Sequence, residues 1–118
     1  MKHSQQRVLV TGATSGIGEA IAQAFAQTGA QVTGTGATAA EVDRASAANA
    51  HLSIHFHPLD VGDASAVHSF VTGLGELDVV VNCAGVIQRQ VELEPEAFAK
   101  TIDINLNGTM RVCAAARA

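Results

Sequence analysis

The chain has no tyrosine and no tryptophan, so no side chain can offer a phenolic proton to a reaction. Cysteine is almost as scarce: Cys83 and Cys113 stand thirty residues apart, without a CxxC pair. That spacing suggests neither a zinc site nor a redox couple and leaves two reduced thiols. Lys and Arg number seven against eleven Asp and Glu, for a net charge of −4. Being scattered as well as few, they exclude the clustered positive surface that nucleic acids and anionic membranes select. No apolar run approaches the roughly 20 residues of a membrane span. The basic start, residues 1–7, is followed by three apolar residues before Thr11, too few for a secretion signal, and the expected location is the cytoplasm. Repeats, low-complexity tracts and linkers are missing too.

What is present is apolar enough to fold. Of 118 residues, 47% are hydrophobic and 15% charged, which suits one soluble globular domain over residues 1–118. Apolar strands alternate with helical patterns, the signature of a parallel sheet wound with crossover helices. Residues 7–11 read as a buried strand. Ile17, Ala20, Ile21, Ala24 and Phe25 then form a helical stripe that stops at Thr28 and Gly29, where glycine suits a helix end. A second strand is expected over 31–35, an alanine-rich helix over 38–49, and a third strand over 52–57, stopped by Pro58. The third strand alternates Leu52, Ile54 and Phe56 with polar residues, as an edge strand does.

Asp63 is placed to cap a short helix through Ala66, Val67, Phe70 and Val71. Residues 77–81, apolar on both faces, read as a central fourth strand. Pro95 opens a fourth helix at its favoured first position, with an apolar stripe of Phe98, Ile102, Leu106, Met110 and Cys113. No Gly or Pro finishes that helix, so the domain is expected to break off within it.

The stretch from Val8 to Gly18 runs from the first strand through a glycine turn into the first helix. Glycines allow a tight turn and close approach to an anion, and the free N–H groups and positive end of the next helix stabilise the charge. Thr11-Gly12, three residues, Gly16, one residue and Gly18 give the spacing TGxxxGxG, which resembles the short-chain dehydrogenase/reductase family. Three further segments agree. Asp60-Val61 stands where the family holds the adenine amino group. Asn82-Cys83-Ala84-Gly85 resembles its NNAG motif beside the cofactor, with Cys83 where a second Asn is usual. Asn105-Leu106-Asn107-Gly108 resembles its NxxG motif. The glycine spacing also differs from the TGxxGxxG of the sugar epimerase branch.

The resemblance implies an incomplete Rossmann-type, doubly wound parallel sheet of four strands in the order 3-2-1-4. It implies cofactor contacts at Gly12, Thr14, Ser15, Gly16, Ile17, Gly18, Gly36, Asp60, Val61, Asn82, Ala84 and Gly85. Asn105 is the one catalytic position implied, helping to hold a proton-relaying water. NAD-selective relatives carry an Asp at the end of the second strand, here Gly36, and NADP-selective ones often carry Arg or Lys where Ser15 stands. Both markers are missing. The loop from Gly34 to Thr38 resembles that of NADPH-using oxoacyl-carrier-protein reductases and offers hydroxyls and N–H groups without a carboxylate. Glu41 and Asp43 are read as a solvated helix face. Of the two candidate cofactors, NADP is therefore expected over NAD; Arg44 is read first as a surface residue and second as a phosphate ligand.

Other patterns are set aside. His55 and His57 share a strand face but lack a third metal ligand, and no metal site is expected. Asn107-Gly108-Thr109 matches a glycosylation pattern inside a helix of a chain expected in the cytoplasm. In the family, a Ser, a Tyr and a Lys that follow the fourth helix handle the carbonyl oxygen and its proton, and none of that set lies here. Two functions stay open. One is the cofactor-binding half of an NAD(P)-dependent oxidoreductase, moving hydride between nicotinamide and an alcohol or carbonyl substrate. The other is a non-catalytic nucleotide-binding or assembly module. The last helix commonly meets another subunit in the family, so a homo-oligomer is expected; no nucleic acid or membrane partner is. Residues 88–92 are the only segment near the expected substrate end, and they name no substrate.

Overall fold

The computed structural model describes residues 6–86, 91 and 93–117. Residues 88–90 and 92 of the expected substrate-end segment lie outside that set.

Four parallel strands, β1 (Arg7–Thr11), β2 (Gln31–Gly36), β3 (Ile54–Pro58) and β4 (Val79–Asn82), form one sheet in the order β3-β2-β1-β4. β1 lies between β2 and β4, with Val10 opposite Gly34 on one side and Val81 on the other. Its alternating side chains divide between two apolar layers. Val8 and Val10 join Ala22 of helix α1 (Gly16–Gln27), with Ala30 and Val32, on one face. On the other, Leu9 meets Val67 and Val71 of α3 (Ala64–Gly73) and Val112 of the last helix. A strand covered on both faces explains the unbroken apolar run at its centre.

Helix α2 (Ala39–Ala48) starts at Thr38, whose side-chain oxygen accepts from Glu41 N, and packs along β3. Its C-cap, the buried Asn49, accepts from Gln23 of α1 through Oδ1 and donates from Nδ2 to Glu19. Asp63 caps α3 as expected, accepting from Ala66 N at 3.1 Å.

Two expectations need correction. β4 is an edge of the described sheet and is half-buried, not central, because no described strand pairs with its far side. The helix from Pro95 is also not one regular helix. It runs as α4 (Pro95–Ile102), a π-helical turn (Asp103–Asn107) and α5 (Gly108–Ala116). The wider turn rotates the helix face, so Gly108, Val112 and Ala115 face the core. The expected stripe instead points outward, with Phe98 57% and Leu106 62% exposed.

Candidate cofactor site

Where β1 ends, Thr11 is fully buried and its hydroxyl oxygen accepts from the Cys83 and Ala84 amides at 3.2 and 3.3 Å. One short polar side chain thus ties the end of β1 to the exit of β4. Gly12 follows with φ of 63°, and a Cβ there would come within 2.6 Å of Cys83 O and Ala84 N. Both the conformation and the space require glycine. Ala13 N then donates to Thr35 O at 2.8 Å, fastening the turn to β2. Ser15 is the N-cap of α1, but its side chain makes no cap bond, so the first amides of the helix face the turn unsatisfied by it. At Gly18 a Cβ would collide with the Gly12 carbonyl. The helix start therefore lies directly on the turn.

These contacts leave a cleft of about 450 Å³ at the C-terminal ends of the strands. Gly12, Thr14, Ser15, Ile17 and Gly18 form its floor, with Gly36 beyond them; Val61, Ala84 and Gly85 line the side toward the β3 and β4 exits. Ile17 is 76% exposed at the mouth. In an open α/β sheet, ligands bind outside the carboxyl ends of the strands.

Gly16, Asp60, Asn82 and Asn105 stand beside the cleft, outside its lining. Gly16, with φ of 58°, has no neighbour within 4 Å of a would-be Cβ. Asp60 Oδ1 accepts from Gly62 N at 2.8 Å and shapes the turn that places Val61. Asn82 Nδ2 donates to Cys113 Sγ at 3.4 Å, joining β4 to α5. Asn105 sits in the π-helical turn, its Oδ1 accepting from Val86 N at 2.7 Å and its Nδ2 donating to Val86 O at 2.9 Å. Both ends of its amide are thus partnered, and the residue is exposed because the apolar stripe around it faces outward.

The wall from Val61 is held from behind. Arg111 donates to Val61 O at 2.9 Å and pairs with Asp103 at 2.5 Å. The Arg111 guanidinium, with help from Asn107, holds the Asp103 carboxyl below its ordinary value, and Asp103 in turn raises Arg111. Gly108 fits this joint because a Cβ would come within 2.7 Å of Val61 Cγ2. Nothing in the spacing of the sequence marked Arg111 or Asp103 as supports of the cleft.

Glu41 is the main correction within the site. Read as a solvated helix residue, it is half-buried on the cleft wall, its Oε1 accepting from Thr14 Oγ1 at 3.3 Å and Ala37 N at 3.4 Å. The sequence did carry a signal: Thr38-x-x-Glu41 fits a capping box, whose carboxylate turns back to the loop before the helix. Asp43 is exposed as expected. Arg44 reaches the cleft's rim, donating to Thr14 O at 3.3 Å. His55 and His57 stack at 5.9 Å, and no cluster of metal-ligating side chains occurs among the described residues.

The parallel sheet, its strand order and the glycine turn leading into α1 define a Rossmann-type α/β domain. The chain belongs to the short-chain dehydrogenase family, whose model matches residues 6–118. It is similar to human L-xylulose reductase, at 36% identity over 109 residues, covering 91% of this chain and 44% of that protein. Among solved structures it is similar to a short-chain type dehydrogenase/reductase from Mycobacterium ulcerans, with a TM-score of 0.85 at 30% identity, covering 95% of this chain and 45% of the other. An actinorhodin polyketide ketoreductase solved with NADPH gives a TM-score of 0.85 at 27% identity, covering 98% and 47%. The chain thus spans less than half the length of these relatives. Relatives in this family bind NAD(P) and act as oxidoreductases.

Proposed function

We propose that residues 1–118 form one domain, the cofactor-binding half of an NAD(P)-dependent oxidoreductase that moves hydride between nicotinamide and an alcohol or carbonyl substrate. The observation that carries this reading is the turn at Gly12, packed under Gly18 at the start of α1 and opening into the cleft. A Cβ at Gly12 would strike the backbone at Cys83 and Ala84, and one at Gly18 the Gly12 carbonyl, so either would push apart the turn that forms the cleft floor. The bound nicotinamide supplies the hydride donor or acceptor. Gly12, Thr14, Ser15, Gly16, Ile17 and Gly18 bind the diphosphate side, where free amides and the positive end of α1 favour an anion. Gly36, Asp60 and Val61 border the adenosine, and Asn82, Ala84 and Gly85 border the nicotinamide side. Asn105 holds the chain at Val86 through both atoms of its amide; its proposed catalytic part, helping to hold a proton-relaying water, rests on the family resemblance alone. With no Tyr in the sequence, these residues hold the cofactor but supply no phenolic acid.

The expectation of NADP rested on the loop's resemblance to that of NADPH-using reductases and on its lack of a carboxylate. A relative solved with NADPH supports the first ground; Glu41, which brings a carboxylate to the loop, weighs against the second. The location is proposed to be cytoplasmic; among the described residues, no helix is long and apolar enough to cross a membrane.

A second reading, an assembly module, is favoured by one observation. Phe98, Ile102, Leu106 and Met110 form an exposed apolar stripe along the last helix, and we take a second copy of the chain as its partner. Titration of the purified chain with NADH and NADPH separates the readings. Saturable binding of either supports the cofactor half, and binding of neither leaves only the module.

A further inference from the structure

The cleft ends at β2 in a charged device that the glycine turn does not explain. At Gly36, where a carboxylate would discriminate between dinucleotides from the strand end, a Cβ would come within 2.5 Å of Thr14 Cγ2. A side chain there would have to displace buried Thr14, and Gly36 itself brings no charge. Any charge at this end of the cleft must come from another element. Glu41 brings one from the first turn of α2, and its Oε1 takes both the Thr14 hydroxyl and the Ala37 amide.

We propose that Glu41 sets the nucleotide preference of the cleft, favouring the dinucleotide with a free adenosine 2′-hydroxyl, NAD(H), over its 2′-phosphorylated counterpart. This rests on the proposed cofactor function and deepens it. A ribose hydroxyl can donate to a carboxylate, as acidic residues near this loop do in dinucleotide-binding domains. A phosphate monoester cannot; it brings about −1.5 to −2 charges at neutral pH beside a fixed negative one. Two of the donors it would need, Ala37 N and Thr14 Oγ1, already bond Glu41. The start of α2 offers little relief, since Thr38 caps the Glu41 amide and the carboxylate offsets the positive end of the helix.

A plain capping box would account for part of this arrangement, because there an N3 glutamate closes back on the residue before the helix. It does not account for the bond to Thr14, 27 residues away on the cleft floor. Arg44 is the opposing candidate. Its guanidinium sits on Thr14 O at 3.3 Å, three residues along the same helix, and it would favour the phosphorylated cofactor if its charge prevailed. Glu41 lines the cleft, whereas Arg44 is exposed at the rim.

Titrating the chain with NADH and NADPH, and repeating this with Glu41→Gln, decides between them. Glutamine serves a capping box as glutamate does, so the variant keeps the helix start and loses the charge; its unchanged melting temperature is the check. The expected result is tighter NADH binding by the unsubstituted chain, with the preference falling by on the order of tenfold, about 1.4 kcal/mol, in Glu41→Gln. Equal or tighter NADPH binding by the unsubstituted chain overturns the proposal but leaves the cofactor function standing. So does a preference that Glu41→Gln does not move. Binding of neither nucleotide by the unsubstituted chain removes the cofactor function, and this proposal with it.

Discussion

Gly12 and Gly18 touch through a carbonyl, and that single approach fixes the angle at which α1 leaves the sheet. Gly18→Ala puts a methyl group against backbone, which cannot rotate away. The expected cost is about 3 kcal/mol of stability or more, the upper end for an overpacked core, together with loss of nucleotide binding. Gly16→Ala makes a control three residues from Ala13. It meets no neighbour within 4 Å, and its positive φ of 58° costs roughly 1–2 kcal/mol. Urea unfolding of both variants beside the parent chain gives the comparison; equal losses would show that Gly18 is not held by contact with Gly12. Thr11 belongs to the same scale, since its hydroxyl oxygen is the acceptor joining the turn to the β4 exit.

The joint between the π-helical turn and the turn after β3 stabilises one wall of the cleft. Asp103 and Arg111 pair across it, and Arg111 also holds Val61 O. Because the Arg111 hydrogen bond lowers the Asp103 carboxyl below its ordinary 3.8, the unfolded chain takes up that proton first as the solution is acidified. The contribution to stability is therefore complete above 3.8 and fades as pH falls toward the folded-state value. Thermal melts of the parent chain and Asp103→Asn, from neutral pH down to about pH 3, should show the variant less stable at neutrality and the gap closing in acid. A gap that widens in acid contradicts this account of the pair. Arg111→Ala should lower nucleotide affinity as well as stability, through the loosened Val61 wall, in the same titration used for Glu41.

For the molecule as a whole, the exposed face of the last helix and the half-buried edge strand β4 dominate. Contiguous exposed apolar patches mark association surfaces. Sedimentation velocity over a range of concentrations should reveal self-association, and Leu106→Glu, placed where the side chain is 62% exposed, should abolish it without lowering the melting temperature. A concentration-independent monomer in the parent chain would sink the second copy as partner while leaving the cofactor cleft untouched.

The sequence by itself determined the order of strands and helices, the turn from Thr11 to Gly18 and the positions of Asp63 and Pro95, because each depends on periodicity or spacing within a few residues. It also placed most of the cleft residues, through a pattern whose glycines are local requirements of one turn. Only the tertiary structure decided which face of the last helix is buried, since a π-helical turn rotates the face and spacing alone gives no sign of it. It alone brought Glu41 to Thr14 across 27 residues, Thr11 to Cys83 across 72, and Arg111 to Val61 across 50. Contacts so distant in the chain are fixed by how the layers pack on the sheet, and packing is a property of the assembled fold.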